Sequence, residues 1–150
     1  MEQLDAPERV ALCIGLPHAP EAPGLARREV LGTFGHRLPE RTLEDLLVVV
    51  SELVTNAVRH GGSGIGPGLA LALEVDAHRM RVTAMDGGAG QRDRIDEGVG
   101  GWGLAMVASL ADRWGFRPGR PTVAWAEFDL VSSRRAPVRR RDVRSAPRAR

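Results

Sequence analysis

Two polar side chains, Glu52 and Asn56, stand one helical turn apart within Ser51-Glu-Leu-Val-Thr-Asn-Ala-Val-Arg-His-Gly61. An i, i+4 spacing stacks them on one face of a helix. A carboxylate there could serve a proton transfer, and a carboxamide oxygen could ligate a hard cation. Taken alone, the ordinary reading of such a pair is the wet side of an amphipathic core helix. A second candidate is Asp86, which ends an apolar strand and heads Asp86-Gly-Gly-Ala-Gly90. Buried at a strand end, its carboxylate could accept a hydrogen bond from an exocyclic amine such as that of adenine. Gly88 and Gly90 would let the backbone approach the ring closely. Alone, this piece reads as an ordinary Asp-Gly turn. The third is Gly98-Val-Gly-Gly-Trp-Gly-Leu104, four glycines running straight into a helix. Its free amides and the positive helix end could hold phosphates, although a glycine-rich loop by itself is equally a flexible surface segment.

These pieces need elements to hold them. Leu43, Leu46, Leu47, Val50, Leu53, Val54, Ala57 and Val58 recur at steps of three and four. That period predicts an amphipathic helix from about Arg41 or Thr42, with Thr42 placed to cap it, to a stop at Gly61-Gly62. Upstream, Arg9–Leu16 reads as a strand closed by Pro17. Pro20–Leu38 reads as a first helix with Leu25, Val30, Leu31, Phe34 and Leu38 on its core face, ended by Pro39. After the glycine-rich loop Gly61–Gly68, Leu69–Val75 and Met80–Met85 form the strands of an antiparallel hairpin turning at Asp76–Arg79. A further helix opens at Trp102 and runs to Ala111. Arg113–Arg117 and Thr122–Leu130 supply two more strands around the turn Pro118-Gly-Arg-Pro121. The order β-α-α-β-β-loop-α-β-β predicts an α+β fold: a two-layer α/β sandwich, with a mixed, mostly antiparallel sheet and its helices on one face.

Composition narrows the chemistry. The chain has 150 residues, enough for one domain with a core of its own. It contains no lysine, which excludes a Walker A phosphate loop, the strand lysine of eukaryotic-type protein kinases and Schiff-base catalysis. Backbone amides, arginine and metal must then do any work on phosphates. Its charge is divided: residues 131–150 hold eight arginines and one aspartate, whereas residues 1–130 hold 13 arginines against 18 acids. The folded part is therefore acidic, and the basic segment, without apolar periodicity, reads as a disordered tail. Eight arginines could contact nucleic-acid phosphates, but no aromatics are interleaved for base stacking, so nucleic acid is not the expected partner. One cysteine, Cys13, no signal-peptide pattern and no apolar run of membrane-spanning length predict a cytoplasmic protein with no membrane partner. His18, His36 and His78 lack ligand spacing, and Trp102, Trp114 and Trp125 read as core or rim aromatics.

In combination the three pieces are more specific than any one of them. Glu-x-x-x-Asn on a helix, Asp-x-Gly-x-Gly after a strand and Gly-x-Gly-Gly-x-Gly-Leu opening a helix, in this order, resemble the GHKL ATPase superfamily with its Bergerat-type ATP-binding fold. The resemblance covers roughly residues 9–130, and implies an ATP-binding domain over 1–130 followed by the tail, 131–150. Ser51–Gly61 and the run Ala111-Asp-Arg-Trp-Gly115 resemble, within it, the bacterial anti-sigma-factor serine/threonine kinases. That resemblance implies ATP and Mg²⁺ as cofactors, a sigma factor and an anti-sigma-factor antagonist as protein partners, phosphorylation of a serine on the antagonist, and a homodimer. It implies Glu52 as general base, Asn56 as Mg²⁺ ligand, Asp86 as acceptor for the adenine amine, and Gly88 and Gly90 as the turn beneath the base. Gly101, Gly103 and Leu104 are implied at the phosphates. The chain departs from the family in two places. Thr122 follows Pro121, where the family's last strand is often preceded by a Gly-Thr pair. The segment between Gly90 and Gly98 is short and carries Asp93, Asp96 and Glu97. The alternative is a non-catalytic ATP-binding regulatory module that sequesters a protein partner; the presence of Glu52 favours the kinase.

Overall fold

A computed structural model describes residues 10–60, 68–87, 101–119 and 121–130. Five strands, β1 (Val10–Leu16), β2 (Leu69–Val75), β3 (Arg79–Asp86), β4 (Arg113–Arg117) and β5 (Thr122–Asp129), form one sheet in the order β1-β2-β3-β5-β4. All four pairings are antiparallel, so the mixed character expected of the sheet is absent among the described strands. Burial alternates along β2 and β3. Met80, Val82, Ala84 and Asp86 are buried, as are Leu69, Leu71 and Leu73, while their neighbours are not. One face of the pleat therefore carries the core.

Three helices cover that face: α1 (Ala22–Phe34), α2 (Glu40–His60) and α3 (Gly101–Leu110). They lie in chain order across the sheet, α1 against β1, α2 against the central strands and α3 against β4. The result is the expected α+β sandwich with helices on one face. In α2 the run Val48-Val49-Val50 costs about 0.5 kcal/mol per residue against the best helix formers. Full burial of Val49, Val50 and Val54 offsets this at about 1.5–3 kcal/mol each. Packing wins over propensity.

Most elements fall within a residue of the sequence reading, and α1 and α2 depart from it in instructive ways. α2 starts at Glu40, because the Pro39 carbonyl accepts the first helical bond from Leu43 N at 3.0 Å; Thr42 thus lies inside the first turn and does not cap the helix. α1 spans 22–34 rather than 20–38, its end closed by bonds from Arg37 N and Leu38 N to the Phe34 carbonyl. Pro39 then disfavours helical backbone at Leu38. The buried stripe of α1 is Ala22, Ala26, Val30 and Phe34, one residue per turn, which leaves Leu31 half exposed instead of in the core. The tail expected to be disordered, 131–150, lies outside the described residues. Among the described residues no helix is long and apolar enough to cross a membrane.

Candidate functional site

The sheet register brings one rim of the molecule together. β1 ends at Leu16, which pairs with Leu69 at the start of β2; Leu69 pairs with Asp86 at the end of β3, and Asp86 with Thr122 at the start of β5. α1 starts near this rim and runs away from it, so α2 returns to it before the chain enters β2. α3 ends two residues before β4, which begins at the opposite rim, so its N-terminal end points back toward Asp86. Antiparallel pairing thus gathers parts of the chain that are 70 or more residues apart.

Asp86 is 5% exposed and is the last residue of β3, on the core face of the pleat. Glu52 and Asn56 are half-buried on α2. Ser51 marks the flank of α2 turned to α1, because its hydroxyl accepts a bond from Arg27 NH1 at 3.0 Å and donates to the Leu47 carbonyl at 2.7 Å. At about 100° per residue, Glu52 and Asn56 lie roughly 100° and 140° further round the helix. They therefore occupy the flank away from α1, on the side where α3 lies. Gly101, Gly103 and half-buried Leu104 form the first turn of α3, whose amides have no acceptor within the helix. Gly88 and Gly90 lie outside the described residues, as do Asp93, Asp96 and Glu97. Thr122, directly across from Asp86, donates its hydroxyl to the Gly119 carbonyl at 3.1 Å.

Sequence reasoning missed a neighbour of Asp86. His18, in the β1–α1 connection, brings Nε2 to 3.5 Å from Asp86 Oδ1. That nitrogen is buried and makes no hydrogen bond. Leaving such an atom unpaired costs about 1–3 kcal/mol. Nothing in the spacing of histidines announces it. The signal is that His18 sits two residues past the end of a strand, and only the register reveals that β1 and β3 end side by side.

The other polar cluster lies on the helix-free face, toward the opposite rim. Glu127, 5% exposed, accepts bonds from Arg113 Nε at 2.9 Å and Arg81 NH1 at 3.0 Å, with Arg79 NH1 at 3.7 Å. Arg113 also forks onto both carboxylate oxygens of Asp129. The hydrogen bond from Arg113 holds the Glu127 carboxyl below the usual carboxylate range, and the same donor lowers Asp129. The two carboxylates in turn raise Arg113 further into its charged form. Arg81 also stacks 4.4 Å from the centroid of Trp125. Beneath that ring is Gly115, where an added Cβ would meet the indole at 2.7 Å. Arg79 and Arg81 on β3 face Asp129 and Glu127 on β5, a pairing that only the register reveals. Both of its carboxylates are paired with arginines, so the cluster is structural.

At the Asp86 rim the arrangement can do three things. It can read a planar polar ligand with Asp86, place an oxygen donor and a carboxylate on one helix flank, and present helix-terminal amides to anions. Among the described residues no group of three His, Cys, Asp or Glu side chains forms a metal cage. No curated protein matches the chain. Among solved structures, the RsbU and RsbW domains of Rv1364c from Mycobacterium tuberculosis share the fold with a TM-score of 0.66 at 23% identity, over 81% of this chain and 32% of that one. The present chain thus spans about a third of that protein's length. A family model described as the histidine kinase-like ATPase domain matches residues 16–125. That match takes in both strands and helices of the Asp86 rim and more than two thirds of the sequence, and the chain belongs to the histidine kinase-like ATPase domain family.

Proposed function

We propose that the protein is an ATP- and Mg²⁺-dependent serine/threonine kinase that also acts as an anti-sigma factor. It sequesters a sigma factor and phosphorylates a serine on an antagonist protein, working as a homodimer. Residues 1–130 make up the ATP-binding domain. The reading is supported by Asp86, buried at the end of β3 on the helix-covered face, within a family of ATPase domains.

Each residue has a role that its chemistry suits. Asp86, with Gly88 and Gly90, holds the adenine amine and ring, and the α3 turn at Gly101, Gly103 and Leu104 receives the phosphates. Asn56 would lend an amide oxygen to Mg²⁺, an ion that needs no protein cage. The metal supplies charge neutralisation for the transferring phosphoryl group. Glu52 accepts the seryl proton as the serine oxygen bonds to the γ-phosphorus and the bond to the bridging oxygen breaks, releasing ADP.

Full-length protein incubated with labelled ATP and candidate antagonists tests the reading directly. Label is expected on a serine of the antagonist. Glu52→Ala should abolish transfer while calorimetry still records ATP uptake. If wild-type protein binds ATP and no antagonist is labelled, the kinase half falls and a nucleotide-binding, partner-sequestering module remains. If it takes up no Mg·ATP, the whole reading falls.

A further inference from the structure

We propose that His18 is a specificity-determining residue of this nucleotide site, reading the purine edge beside Asp86. The inference rests on the ATP reading above and adds a residue that neither the family resemblance nor the sequence spacing assigns.

The Asp86 carboxylate can only accept hydrogen bonds when ionised, whereas a neutral imidazole carrying its proton on Nε2 donates there. Oδ1 of Asp86 and Nε2 of His18 are 3.5 Å apart and make no hydrogen bond to each other. An acceptor and a donor set side by side are the complement of adenine's Watson–Crick edge, where the N6 amine donates and the adjacent N1 accepts. Guanine reverses that order, offering O6 as acceptor and N1–H as donor, so it would turn an oxygen toward the carboxylate and a proton toward the imidazole. A site whose buried polar groups match one edge rejects the other because mismatched groups are left unpaired.

Local structure fixes the histidine for this task. Pro17 and Pro20 bracket it, each with φ preset, and the turn is closed by Ala22 N bonding to the Ala19 carbonyl at 3.0 Å. The ring is mostly shielded, with 23% of the side chain exposed, and it is the buried Nε2 that faces the carboxylate. The nitrogen lies within ion-pair distance of the buried acid but makes no hydrogen bond to it. An adenine whose edge met both groups side by side would satisfy that nitrogen.

The test compares ADP with 1-deaza-ADP, in which the N1 acceptor is replaced by C–H, by calorimetry on the full chain. Wild type should bind 1-deaza-ADP about three- to tenfold more weakly than ADP, the value of one neutral hydrogen bond. His18→Leu should lose a similar factor for ADP and no longer distinguish the two ligands, and His18→Gln, which retains a donor, should recover part of both. In the unmutated protein, the ¹⁵N resonance of His18 Nε2 should shift on adding ADP and stay in place on adding 1-deaza-ADP. Equal binding of the two ligands by wild type, or an ADP/1-deaza-ADP ratio unchanged in His18→Leu, overturns the role of His18 while leaving nucleotide binding intact. Absence of any ADP binding by wild type overturns the site itself.

Discussion

Among the described residues two carboxylates are buried, Asp86 and Glu127, and their surroundings differ in kind. Glu127 is enclosed by the guanidinium groups of Arg79, Arg81 and Arg113, whose aliphatic stems cover it on a face without helices. Asp86 lies on the helix-covered face at the other end of the sheet, beside an imidazole nitrogen that makes no hydrogen bond. Burying a charge is costly unless it is paired and hydrogen-bonded. At Glu127 the protein meets that cost from within, and the product is rigidity. At the Asp86 rim one buried polar atom, Nε2 of His18, has no hydrogen-bond partner, which the proposed adenine contact would supply.

The contrast is open to attack by substitution. The largest expected effect is at Asp86: Asp86→Asn keeps the shape but replaces a charged acceptor, which is worth about 1.5–3 kcal/mol in a hydrogen bond. Calorimetric affinity for ATP should therefore fall by about 10- to 150-fold with little change in unfolding temperature. Glu127→Gln should give the opposite pattern, a loss of roughly 1–3 kcal/mol in denaturant unfolding with ATP affinity preserved, because three cations lose their anion. If that variant weakened ATP binding as much as Asp86→Asn, the two regions would not be separate.

Acid titration sharpens the same point. The folded-state pKa of Glu127 is lowered, so its stabilisation is fully present above the unfolded value of about 4.3 and is lost as pH falls through the folded value. Unfolding followed from pH 6 down to 3 should show wild type losing stability faster than Glu127→Gln at the acidic end. Gly115→Val should cost about 1–3 kcal/mol, since its Cβ would be 2.7 Å from the Trp125 ring and the indole, held between β4 and Arg81, must move. The smallest effect is expected from Arg81→Met, which removes a partly exposed cation from Trp125 and should cost about 0.5–1 kcal/mol, beyond the lost bond to Glu127, in a double-mutant cycle with Trp125→Leu.

How much of this was legible beforehand follows physical lines. Period-two and period-3.6 apolar patterns are local, and they located β2 and β4 to the residue and the core stripe of α2 closely. They failed where two stripes compete: in α1 the four-residue row Ala22–Ala26–Val30–Phe34 was chosen over the bulkier Leu31. The individual site residues Glu52, Asn56 and Asp86 were readable as candidates because their chemistry is carried by type and spacing. What could not be read is register. Leu16, Leu69, Asp86 and Thr122 lie in line across four strands, and no one-dimensional pattern announces that His18 then stands against a carboxylate 68 positions away. The Glu127 cluster escaped for the same reason, since Arg81, Arg113 and Glu127 come from three strands whose pairing must be known first.

The direction of β5 has a practical corollary. That strand begins beside Asp86 and ends at Asp129, and Leu130 is tethered by its amide to the His78 carbonyl at 2.8 Å, on the far rim. Eight residues at about 3.4 Å each separate the two, a span on the order of 25 Å. An affinity handle, a fluorophore or a clean cut placed just after Leu130 is thereby remote from the Asp86 rim.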